Sequence, residues 1–248
     1  MPSPLRVGVV AAAVLAVACQ GPPGPGSTTR PSPATQPTAG PTSTAIPPLG
    51  SGPLEPGRYA WYWSGPAISF EVPDGWTGIR GIDVVKHPDS PTEINWGVWL
   101  PGSIPVSHVY TDACKSEGAL EPIAGTVQSL VDALETQAGT DATVTEVTLG
   151  GRPAQRIDLV QSPSVDRAIC RHGVDGPLQI WANAAETEFY AFAPGYSGFV
   201  HALDLDGELV VFTAAIGPDA APAEIEELEA IVSSVDIAPA VEGSPASP

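Results

Sequence analysis

Two aspartates separated by one residue, in Asp204-Leu205-Asp206-Gly207-Glu208, are the first residues whose spacing could support chemistry. Alternate positions on a strand share a face, so the pair could serve as the acid and base of a hydrolase. The same run matches the start of a calcium loop. Such a loop needs a further acidic ligand and a Glu at its twelfth position, which here is Ala215. The plainer reading is a hairpin turn, for which Asp-Gly is a strong signal. His87, His108, His172 and His201 are scattered, with no HxH or HExxH spacing, so each reads as a surface or hydrogen-bonded residue. A serine nucleophile would need a GxSxG elbow. Gly195-Tyr196-Ser197-Gly198 is one residue short of it and reads as a turn. No GxGxxG or P-loop occurs, so a nucleotide cofactor is unsupported, and with the histidines scattered no cofactor or metal is expected. The remaining group is aromatic: Trp61, Trp63, Trp76, Trp96 and Trp99, five of the six tryptophans, fall within one short stretch. With nearby Asp and Asn, stacked tryptophans could bind a sugar, a peptide or an apolar ligand. The alternative is that they form the core beneath a helix.

The three cysteines carry chemistry of another kind. Cys19 follows an apolar run from Val7 to Val17, preceded by the single basic residue Arg6. A positive start, a short apolar stretch and small residues before a cut make an export signal. The run is too short to span a bilayer, which takes ~20 apolar residues. Leu15-Ala16-Val17-Ala18-Cys19 resembles the lipobox of bacterial lipoproteins. That resemblance implies acylation of the Cys19 thiol and a mature chain beginning there. Two or more acyl chains hold a protein on a membrane without any transmembrane helix. Once Cys19 is set aside, Cys114 and Cys170 remain, and in an exported domain two cysteines most simply pair. A zinc or redox site is the alternative. No CxxC spacing supports it, although His172 lies two residues from Cys170.

Composition divides the chain into four parts. Residues 1–18 are the signal, and 19–56 are the lipidated Cys and a disordered tether rich in Pro, Ser and Thr. Such a tether cannot bury enough surface to offset its ordering entropy. Residues 57–237 form one globular domain, long enough for a real core, and 238–248 are a disordered tail. The formal net charge of −18 repels nucleic acid and anionic lipid alike, so no nucleic-acid partner is expected. The partners expected are the membrane, through Cys19, and an unknown envelope protein or small ligand. The chain is expected to be a monomer.

The elements that must position these residues follow from periodicity. Ile68-Ser69-Phe70-Glu71-Val72 alternates strictly and reads as a strand ending in the turn Pro73-Asp74-Gly75-Trp76. Aromatic strands are expected at Arg58–Trp63 and Glu93–Leu100, and a short strand at Val106–Tyr110. Val127, Leu130, Val131 and Leu134 make one apolar stripe, so a helix starts after Thr126 and stops at Gly139. Gly150-Gly151 joins strands at Thr143–Leu149 and Pro153–Val160, and Asp206-Gly207 joins Gly198–Leu205 to Leu209–Ile216. Further strands are expected at Leu178–Ala182 and Glu188–Phe192. A second helix, Ala221–Ser234, precedes a closing strand at Ser234–Ile237, and its early glutamates complement the helix dipole. The fold class is α+β: a mostly antiparallel twisted sheet with two main helices packed on it, a layered sandwich.

Three segments carry a family resemblance. Ile68-Ser69-Phe70-Glu71-Val72-Pro73-Asp74-Gly75-Trp76 resembles the strand, Pro and Gly-Trp start of many exported bacterial domains. Val147-Thr148-Leu149-Gly150-Gly151-Arg152-Pro153-Ala154 is similar to their Gly-Gly-Arg hairpin. Ile231-Val232-Ser233-Ser234-Val235-Asp236-Ile237 resembles their final helix and strand. The fold so implied is that of PsbP-like and LpqN-like lipoproteins, an antiparallel sheet between helices. That resemblance implies binding or assembly modules and no shared catalytic residues. The leading expectation is therefore a membrane-anchored extracytoplasmic lipoprotein with a non-catalytic ligand- or partner-binding module. The alternatives are a carrier of lipid or an apolar small molecule, and a cell-envelope hydrolase using paired carboxylates.

Overall fold

A computed structural model describes residues 45–100, 105–115, 119–173 and 176–238. Cys19, the export signal, the tether up to residue 44 and the tail from residue 239 lie outside the described residues.

The described residues form fifteen strands and two α-helices. In chain order the strands are β1 (Gly52–Pro53), β2 (Gly57–Trp61), β3 (Ile68–Val72), β4 (Thr77–Ile79), β5 (Asp83–Lys86), β6 (Ile94–Trp99), β7 (His108–Tyr110) and β8 (Leu120–Pro122). Then come α1 (Val127–Thr136), β9 (Thr140–Leu149), β10 (Arg152–Gln161), β11 (Leu178–Ala182), β12 (Phe189–Phe192), β13 (Ser197–Leu205), β14 (Glu208–Ile216), α2 (Pro222–Ser233) and β15 (Asp236–Ile237). An eight-stranded sheet runs β1-β4-β5-β6-β14-β13-β10-β9. A four-stranded sheet runs β12-β11-β7-β8, and a three-stranded one β15-β3-β2. The named strands pair antiparallel, as hairpin connections require, so the class is α+β with antiparallel sheets.

Turn chemistry sets the register of the long hairpins. Gly150 and Gly151 both take positive φ, so Leu149 opposes Arg152 across a two-residue turn. Asp206-Gly207 does the same between Leu205 and Glu208. Period-two alternation then sends side chains to two separate cores. From β13, Phe199, Leu203 and Leu205 enter a first cluster, whereas Val200 and Ala202 enter a second. From β6, Ile94, Trp96 and Val98 enter the first, whereas Trp99 packs beside the second. The apolar stripe of α1 supplies Leu130, Val131 and Leu134 to the second cluster, and α2 supplies Leu228, Ile231 and Val232 to the first. Thr126 caps α1 through its hydroxyl, and Ser129 returns the bond to the Thr126 N–H, taking the place usual for Glu.

Order extends into the expected tether. Leu49 is buried, its N–H donates to the Ala60 carbonyl at 2.9 Å, and β1 pairs with β4. Pro-rich composition concealed this segment, because one buried leucine and a few backbone bonds leave no periodic signal. A second unexpected hairpin joins β4 to β5 through Arg80 and Gly81, both at positive φ. Arg-Gly lacks the Asn or Asp that usually marks such a turn. No helix among the described residues is long and apolar enough to cross a membrane.

Candidate functional site

The five tryptophans separate by strand face. Trp61 of β2 and Trp96 of β6 meet in the first core, 4.9 Å apart between ring centroids, flanked by Phe70 and Phe212. Trp76 is buried in the same cluster, and its indole N–H donates to Glu227 at 3.3 Å. Trp63 is half-buried beside it and donates to the Pro66 carbonyl at 2.7 Å. Trp61 and Trp63 border a hollow of about 490 Å³. Trp99 points the other way, because odd positions of β6 face the second cluster. It meets Trp181 edge to face at 5.8 Å, and Trp181 stacks on Tyr190 at 4.5 Å.

Trp99 also lines a cleft of about 470 Å³, together with Arg80, Asp83, Glu188 and Tyr190. Its floor follows from register. Asp83 of β5 pairs with Gly97 of β6, which pairs with Thr213 of β14, and Asn95 pairs with Ala215. Paired residues share a face, so these positions line one side of the large sheet. The absence of a side chain at Gly97 makes room for Asp83. A Cβ there would come 1.7 Å from the Asp83 carboxylate oxygen, so that carboxylate lies flat across β6. The lining also draws on β12 and its preceding residue, with Glu188, Phe189, Tyr190 and Ala191.

Electrostatics follow from this enclosure. The Asp83 side chain is 19% exposed. Burial pushes its carboxyl up to about 6, partly offset by Arg80 and reinforced by Glu188. Arg80 lies between the two acids, 3.9 Å from Asp83 and 3.6 Å from Glu188, both too long for hydrogen bonds. The Tyr190 phenol is buried and donates to the Ala214 carbonyl at 2.8 Å; burial, then the Asp83 charge, raises its pKa. Tyr196 donates to the Ser90 carbonyl at 2.9 Å and is likewise raised, by burial and then by Glu93 and Asp89. The arrangement can hold a small ligand between aromatic rings and carboxylates.

The other residues singled out by sequence lie elsewhere. Asp204 and Asp206 bracket the β13–β14 turn, where the Asp204 carboxylate accepts the Gly207 N–H at 2.7 Å and Asp206 sits at φ 60°. Both are occupied in shaping that turn. No group of three or more His, Cys, Asp or Glu able to hold a metal occurs among the described residues. His87 bonds Glu224 at 2.6 Å, and His108 bonds Ser107 at 2.9 Å. His201 is buried on the opposite sheet face from the cleft, edge-on to Phe199 at 5.2 Å. Burial lowers its pKa to about 4; Arg156 adds to that, and Asp158 opposes it. Cys114 and Cys170 form a disulfide with Cα atoms 4.6 Å apart, buried in the second cluster. The sequence reading missed Arg80, Asp83, Glu188 and Tyr190. The strand expected at Glu188–Phe192 carries Glu188 and Tyr190, but nothing local marks Arg80 or Asp83, and bringing all four together is the work of pairing between distant strands.

Among solved structures, the chain is similar to the solution structure of cyanobacterial PsbP (CyanoP) from Synechocystis sp. PCC 6803. Identity is 13% and the TM-score 0.36, over 79% of this chain and 98% of that one. It is also similar to LpqN, involved in cell envelope biogenesis of Mycobacterium tuberculosis, at 14% identity and a TM-score of 0.34, over 75% of this chain and 93% of that one. No protein-family model matches the chain, and no curated protein does. These solved structures are of the PsbP-like and LpqN-like kinds that the strand, hairpin and closing motifs resemble. No residue role is carried over from either.

Proposed function

We propose that this chain is an extracytoplasmic lipoprotein, anchored through an acylated Cys19, whose folded part is a single non-catalytic ligand-binding module. The observation that carries the binding part is the cleft over β5, β6 and β14, whose lining brings Trp99 and Tyr190 together with Asp83 and Glu188. A concave site with a few convergent polar groups and a perturbed carboxyl is the physical pattern of ligand recognition. The buried Cys114–Cys170 bond supports residence in an oxidising compartment. The arrangement we favour is a layered sandwich, with α1 and α2 on opposite faces of the large sheet. The module acts as a monomer on the outer face of the cell membrane.

Two measurements test this. Wild-type protein partitions into detergent and sediments with membranes, whereas Cys19→Ser moves to the aqueous phase. Equal partitioning of both would remove the anchor. In a thermal-shift screen of small molecules, at least one compound stabilises the wild type and loses its effect when Ala215→Trp fills the cleft. A compound that stabilises both equally binds elsewhere and argues against this site.

A further inference from the structure

We propose that the cleft selects a small organic cation, an alkyl or aralkyl ammonium, seated between the rings of Trp99 and Tyr190 and the carboxylates of Asp83 and Glu188. This rests on the reading of the cleft as a ligand site and adds the chemistry of the ligand. The cavity of about 470 Å³ suits a ligand the size of a phenyl ring with a short amine chain. Among its lining residues, Asp83, Asp89, Glu93 and Glu188 are carboxylates and Arg80 is the one cation, so the local field favours positive charge. The aromatic wall acts in the same sense, since the faces of Trp and Tyr attract ammonium groups.

Arg80 occupies the position a ligand cation would take, but holds it loosely. Its side chain is 63% exposed and neither carboxylate lies within hydrogen-bond distance. An ammonium reaching the floor can bond Asp83 directly and displace a guanidinium that gives up only long, solvated contacts. The receiving carboxylate is prepositioned, because Gly97 leaves room for it to lie across β6. A metal ion is a poorer match, since no metal-holding cluster occurs among the described residues. An anion would meet four like charges.

The test compares three probes built on one phenylethyl scaffold, on the full-length protein: 2-phenylethylammonium, neutral 2-phenylethanol and anionic 3-phenylpropanoate. Binding is read from the Trp99 indole resonance of ¹⁵N-tryptophan-labelled protein, assigned with Trp99→Phe. The cation binds at least ~10-fold more tightly than the other two, the scale expected of one desolvated cation–π contact with a carboxylate. Asp83→Asn removes that preference while leaving the alcohol unaffected. Arg80→Asn creates the Asn-Gly pair preferred in this turn, so it folds, and it strengthens cation binding by removing the competitor. Equal binding of all three probes overturns the charge selection and leaves the ligand-site reading standing. A preference for the anion, or weaker cation binding in Arg80→Asn, also overturns it. Failure of every probe to shift Trp99 overturns both.

Discussion

Asp83 and His201 show how one sheet holds two titratable groups in opposite kinds of stress. Asp83 has a folded pKa near 6, above its ordinary 3.8. Between these values the folded chain keeps a proton that the unfolded chain has lost, so stability falls as pH rises through the window. The cost at pH 7 is on the order of 3 kcal/mol. Asp83→Asn should therefore gain stability over the wild type progressively from pH 4 to pH 6, then hold a constant lead, read from denaturant midpoints. A difference that stays flat across this range would contradict the burial of that carboxylate. His201 runs the other way. Its folded pKa near 4 lies below the ordinary 6.5, so on acidification the unfolded chain takes up the proton first. Stability contributed by neutral His201 is complete above pH 6.5 and is lost as pH falls toward 4. His201→Gln should flatten the wild-type decline between pH 6.5 and pH 4.5, measured as Tm against pH. An unchanged slope would mean that His201 charges freely.

At the scale of elements, three glutamates of α2 make polar contacts with residues of β5, β10 and the position after β5. Glu224, Glu227 and Glu229 reach His87, Lys86 and Arg156 at 2.6, 2.7 and 3.0 Å. Lys86 is the most shielded of these three side chains, and its partner Glu227 also accepts the Trp76 indole N–H. The helix start is weaker than its end. Ala221 occupies the N-cap without a side-chain acceptor, and Glu224 reaches back to its N–H only at 3.4 Å. Ala221→Asp should stabilise the protein by about 1 kcal/mol by capping the free amides. A chemical-denaturation midpoint no higher than wild type would show that the first turn is already satisfied. Alternation along β6 decides a larger matter. A shift of one residue in its register would bury Trp99 and turn Trp96 toward the cleft.

For the whole molecule, the disulfide joins the loop after β7 to the segment before β11, positions 56 residues apart in sequence. Arg171 donates to the Cys114 carbonyl at 2.9 Å and Gln179 to the Ala113 carbonyl at 3.0 Å, so backbone bonds reinforce the same junction. Closing a loop of this length restricts the unfolded chain by roughly 4 kcal/mol in the entropic account. The double substitution Cys114→Ala with Cys170→Ala should cost about 2–4 kcal/mol of unfolding free energy. A loss below 1 kcal/mol would mean that the backbone junction alone holds these segments.

Local code was enough for much of this architecture. Gly150-Gly151 and Asp206-Gly207 declared their hairpins because only certain residues tolerate positive φ at both turn positions. The stripe Val127, Leu130, Val131 and Leu134 declared α1, and the two cysteines left once Cys19 was set aside declared their bond. Arg80-Gly81 declared nothing, since its turn uses a residue with no preference for that conformation, and β4, β5 and half the cleft went unread with it. The tryptophans were legible as a group but not by destination. Strand parity can be read along one segment, yet which face meets a helix, a second sheet or solvent depends on partners dozens of residues away. Asp83 beside Gly97, Glu188 across from both, and Trp99 turned from Trp96 are consequences of strand pairing across the chain. Local periodicity decides where side chains alternate; only tertiary pairing decides what they face, and a binding site is made of what faces what.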